Sequence, residues 1–86
     1  MWIVELAFND EPERLAARAA HRQRLSALQS EGVVRMAGPF ADDSGAMIVF
    51  DVADQPGLEQ LMADDPYFTT PGVRVHQVRQ WRPFLR

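Results

Sequence analysis

The chain has 86 residues, 47% hydrophobic and 24% charged, a composition that suits one ordinary folded domain spanning residues 1–86 and excludes a disordered or collagen-like segment. There is no cysteine and, because all nine basic residues are Arg, no lysine, so disulfides, thiolate metal sites, cysteine nucleophiles, Schiff bases and the P-loop lysine are all excluded. The formal charge of -3 and a pI near 5.2 argue against a nucleic-acid partner. No apolar run reaches a membrane-spanning length, and Met1 runs straight into an apolar strand-like segment without a basic leader, so no membrane association and a cytoplasmic location are expected.

Trp2 to Phe8 is rich in β-branched and aromatic residues and predicts a strand, with Trp2, Val4, Leu6 and Phe8 on one face. Asp10 as a cap, Pro12 in the first turn and Glu13 near the positive end of the dipole predict a helix from about residue 11 to 31, ended by Gly32. Val33 to Phe40 reads as a second strand, whose Gly38-Pro39 pair implies an edge or a distortion because proline cannot donate to a ladder. A polar turn, Ala41 to Ser44, leads into a third strand from Gly45 to Val52. Residues 54 to 64 predict a second helix with Leu58, Leu61 and Met62 on one side, closed by Pro66. Val73 to Trp81 supplies the fourth strand.

The order β-α-β-β-α-β is that of the ferredoxin-like, α+β fold, a four-stranded antiparallel sheet with two helices on one face. The first and third strands are apolar on nearly both faces, so the face without helices would expose a large apolar patch. Sheet-to-sheet packing of two copies would cover it, and a homodimer is the expectation.

An advance of about 100° per residue places Ala17, His21, Leu25 and Leu28 on one stripe of the first helix, flanked by Arg18. His21 is therefore either a core histidine satisfied by a carbonyl or an imidazole at a pocket margin, where its near-neutral pKa suits proton transfer. Arg18 can bind an anion or cover apolar surface with its stem, whereas Arg22 and Arg24 read as solvated helix surface. Asp65 at the end of the second helix opposes the helix dipole, which marks it as a candidate partner for a histidine base, although Asp-Pro is also a common turn start. Asp64 has the same turn reading, and Asp42 and Asp43 suit a hairpin turn. His76 shares its strand parity with Arg74, Val78 and Arg82 and reads as a solvated or interface residue. Two histidines 55 positions apart with no further ligand motif give no metal site, and nucleotide-binding and serine-hydrolase fingerprints are lacking.

Arg18-x-x-His21, Gly32-x(5)-Gly38-Pro39 and Asp65-Pro66-Tyr67, with a C-terminal strand ending in Trp81, together resemble the pattern of the YCII-related (YciI-like) proteins over nearly the whole chain. The resemblance implies a dimeric α+β barrel of ferredoxin-like subunits and a His21–Asp65 pair in a cleft. It also implies a small enzyme without cofactor, of lyase or isomerase type, acting on a small cyclic or aromatic substrate. Arg18 would hold an anionic or phenolic oxygen, and Gly38, Pro39 and Tyr67 would shape the wall. The segment from Pro39 to Gly45 is shorter than in many members, which weakens any inference of their substrates. A non-catalytic dimeric module, binding a small ligand or serving as an accessory to another enzyme, is the alternative. Heme- or oxygen-dependent chemistry, known in other dimeric α+β barrels, has no further signal here.

Overall fold

In the computed structural model, which describes all 86 residues, the elements are β1 (Trp2–Phe8), α1 (Pro12–Ser30), β2 (Val34–Pro39), β3 (Gly45–Phe50), α2 (Gln55–Ala63), a 3-10 turn (Pro66–Thr69) and β4 (Val73–Gln80). Every pairing in the sheet is antiparallel, in the order β2-β3-β1-β4. Each helix therefore crosses over one intervening strand, as the ferredoxin-like arrangement requires. No helix is long and apolar enough to cross a membrane.

Residues paired directly across strands share a sheet face, so the register sorts the side chains. Rows such as Ala37–Ile48–Val4–Val78 and Pro39–Ala46–Leu6–Val75 face the helices. Val4, Leu6, Ile48 and Phe50 form the centre of the core with Val34, Leu58, Tyr67 and Phe68, and Ala17, Leu25 and Leu28 of α1 pack against it. The opposite face carries the rows Met36–Val49–Ile3–Arg79 and Gly38–Met47–Glu5–Gln77, with Met36 63% and Met47 37% exposed. Gly45 is required by crowding, since a Cβ there would run into the backbone carbonyl oxygen of Leu6.

Local details differ from the sequence expectation in two places. Asp10 does not cap α1: the cap position is Glu11, whose side chain makes no capping bond, and Asn9 Oδ1 instead accepts from the Glu11 amide at 3.0 Å. The register of β4 on β1 shifts between Glu5 and Leu6, which makes His76 the unpaired residue and breaks the even alternation assumed from Arg74 to Arg82. Val78 thus lies opposite Val4 on the helix side, whereas His76 Nε2 lies 3.9 Å from Glu5 on the other face. Pro66 ends α2 as expected and then starts the 3-10 turn. Gly32 follows α1 with φ +80°, the left-handed geometry for which glycine was expected there.

Candidate functional site

Asp65 separates α2 from the 3-10 turn and its carboxylate has two partners. Oδ1 accepts from the Tyr67 amide at 3.0 Å, capping the turn, and Oδ2 lies 2.6 Å from His21 Nδ1. The cap holds the carboxylate facing the histidine. His21 sits in the middle of α1, on the stripe that faces the sheet, and both residues are buried, at 7% and 4% exposure. An N–H donated from Nδ1 to a carboxylate leaves Nε2 as the nitrogen with a free lone pair.

Two aromatic rings enclose this pair. Tyr67 stacks on the imidazole with centroids 3.9 Å apart and Phe68 meets it edge-on at 5.6 Å. Burial lowers the His21 pKa below its usual value, and this outweighs the opposite pull of the Asp65 hydrogen bond and charge; Arg22 lowers it slightly further. The imidazole is therefore neutral at pH 7 and able to accept a proton. Burial raises the Tyr67 pKa above its usual value, against the pull of Arg14, Arg18 and Arg22, so its hydroxyl stays protonated.

His21 forms part of the wall of a cavity of about 550 Å³ between α1 and the β2–β3 half of the sheet. The small side chains of Ala37 and Ala46 leave this space open beneath the helix, and Gly38 lies along it. Arg18, Gly38, Pro39 and Tyr67 line the same cavity, and Asp65 stands behind His21, lining a smaller space of about 280 Å³ on its other side. The fold thus gathers His21, Asp65, Arg18, Gly38, Pro39 and Tyr67 around one centre. Arg22, read from sequence as helix surface, also lines the cavity, while Asp64 accepts only from the Gln60 side chain at the surface. His76 lies away from it, and no group of three or more His, Cys, Asp or Glu side chains could hold a metal ion.

Sequence reasoning missed Arg14. It is 8% exposed, lines the cavity, places its guanidinium carbon 4.4 Å from the Phe8 ring centroid, and approaches Asp43 at 3.7 Å. The available signal was its position two turns before His21, on the same stripe. Asp43, read as a hairpin-turn residue, is that and more: its φ of +59° belongs to the turn, yet its side chain lines the cavity mouth. Asp42 keeps its turn role, accepting from the Ser44 amide at 3.0 Å.

The architecture is shared with 5-chloro-2-hydroxyhydroquinone dehydrochlorinase (TftG) from Burkholderia phenoliruptrix AC1100, solved in complex with 2,5-dihydroxybenzoquinone. The match has a TM-score of 0.60 at 14% identity and covers 95% of this chain and 94% of that one, a likeness of fold. No curated protein matches the sequence. The YCII-related domain model matches residues 1–82, nearly the full length, and with the α+β fold and the ordered motifs around His21, Gly38-Pro39 and Asp65-Pro66-Tyr67 in place, the chain belongs to the YCII-related family.

Proposed function

We propose that this chain is a small cofactor-independent acid/base enzyme of the lyase or isomerase type, acting as a cytoplasmic homodimer on a small cyclic or aromatic substrate. The observation that carries the reading is the buried His21–Asp65 bond of 2.6 Å at the wall of a 550 Å³ cavity. A neutral imidazole held in one tautomer by a carboxylate is a general base, and the same group returns the proton as an acid. In an elimination, the base takes a proton while a leaving group departs with its electron pair. In an isomerisation, the proton returns at another atom. Neither needs an oxidant or a reductant. Arg18 supports an anionic or phenolic oxygen, Tyr67 donates from its hydroxyl, and Gly38 and Pro39 shape the wall.

The structural neighbour acts on a chlorinated hydroxyhydroquinone by its name, which makes halogenated and hydroxylated rings the first substrates to try. Met36 and Met47, exposed beside Ile3 and Val49 on the helix-free face, support the homodimer, with Glu5, Gln77 and Arg79 on the β4 side of the same rows. Chloride release from 5-chloro-2-hydroxyhydroquinone and related rings, measured for wild type and His21→Ala, tests the role of His21. The variant is expected to lose about 10²- to 10⁴-fold in rate. A folded variant that works at the wild-type rate counts against proton transfer by His21. A variant that melts lower while neither protein turns over any ring favours a non-catalytic binding module.

A further inference from the structure

We propose that Arg14, with Asp43 as its internal competitor, joins Arg18 in binding the anionic oxygen of the ligand and is the more firmly placed of the two, which makes the ligand class a small ring bearing a carboxylate, phenolate or other single oxyanion. This rests on the cavity being the ligand site, as proposed above, but not on His21 being a base.

Arg14 has an unusual environment for an arginine. Its side chain is only 10% exposed, and its Nε donates to the Asn9 carbonyl oxygen at 3.4 Å. The contact with Asp43 is 3.7 Å, longer than a hydrogen bond, and Asp43 is itself 56% exposed. The Tyr67 hydroxyl, which interacts with the Arg14 guanidinium by hydrogen bonding as well as by charge, is protonated and adds no negative charge. The terminal guanidinium nitrogens therefore face the cavity with a neutral hydroxyl and a carboxylate beyond hydrogen-bond range, and no anionic acceptor is bonded to them. Guanidinium geometry fits a carboxylate or a similar oxyanion through paired N–H donors.

The surroundings favour an anion too. In a chain of net charge -3, the cavity is lined by Arg14, Arg18 and Arg22 against one acid, Asp43. The Phe8 ring beneath the guanidinium plane and the Asn9 carbonyl on Nε hold Arg14 in place and leave its terminal edge for the ligand. Arg14 thus differs from Arg18, which is only half-buried.

Titration calorimetry with benzoate and benzamide, two probes of one shape that differ in charge, tests the assignment. Wild type should bind benzoate more tightly than benzamide. Arg14→Gln should weaken benzoate by about ten- to a hundredfold, the scale of a hydrogen bond to a charged group, and leave benzamide within about twofold. Asp43→Asn should tighten benzoate, because it removes the competing charge at an exposed turn position where asparagine tolerates the positive φ. That variant also decides the matter if Arg14→Gln does not fold. Equal or absent binding of the two probes to wild type, an unchanged benzoate affinity in folded Arg14→Gln, or weaker benzoate binding in Asp43→Asn would each overturn the assignment. A His21→Ala variant that kept the preference for benzoate but retained full turnover would sink the base and leave the Arg14 site standing.

Discussion

Replacing Asp65 by Asn separates orientation of the imidazole from the integrity of the fold. Asp65 has two buried duties, the Tyr67 amide at 3.0 Å and His21 Nδ1 at 2.6 Å. Asparagine has the shape to keep the first, with its carbonyl oxygen as acceptor, but it then points an NH₂ at the imidazole. His21 Nδ1 must turn from donor to acceptor, which moves the imidazole proton to Nε2, the nitrogen proposed to take the substrate proton. A charge-assisted bond is roughly twice as strong as a neutral one, so the exchange costs about 1 kcal/mol, or about 4–8 °C in melting temperature for a domain of this size. Asp65→Ala strands both buried donors at about 1–3 kcal/mol each and should melt lower still. Turnover should fall about 10²- to 10⁴-fold in Asp65→Asn in spite of its modest stability loss. Long-range proton–nitrogen NMR correlations of the His21 ring read the tautomer directly and need no substrate. A ring that keeps its proton on Nδ1 in Asp65→Asn, with turnover intact, would refute the orienting role.

Two further outcomes follow from the same structure. Because burial lowers the His21 pKa in the folded state, the unfolded chain binds more protons between that pKa and the ordinary value of 6.5, so stability rises with pH across this window and is lost as the pH falls through it. Melting temperatures of wild type should decline below about pH 6.5, and His21→Asn should flatten that decline; an equal slope in both proteins would assign it to other groups. Sedimentation of wild type should give twice the 9.8 kDa chain mass, and Met47→Glu, which puts a charge on the exposed apolar face, should give the single mass; a wild type that sediments as a monomer at all concentrations removes the homodimer.

Most of the architecture could be read from the chain because strands and helices have their own periods. Alternation in Trp2–Phe8 and Gly45–Phe50, the apolar stripe of α1 and the breaks at Gly32 and Pro66 are local signals, and the resulting element order matches a ferredoxin-like sheet. Departures arose where a neighbour overrode the local signal. Asn9 displaced Asp10 at the start of α1, and the register shift opposite Glu5 and Leu6 put His76 and Val78, which simple alternation placed on one face, on opposite faces of the sheet.

The candidate site was legible as residue types and spacing, with His21 on an apolar stripe, Asp65 before a proline, and an Arg one turn from the histidine. Their meeting could not be derived, because His21 and Asp65 are 44 positions apart and only packing of the 3-10 turn against α1 brings them to 2.6 Å. The burial of Arg14 and the arrival of Asp43 at the cavity mouth were likewise settled by tertiary structure, since both depend on how far the β2–β3 turn reaches toward α1. Length and composition restricted proton transfer to histidine, acid and tyrosine side chains by leaving out cysteine and lysine. Which charge stands beside which ring is a property of distance and solvent exclusion, and those exist only once the chain is folded.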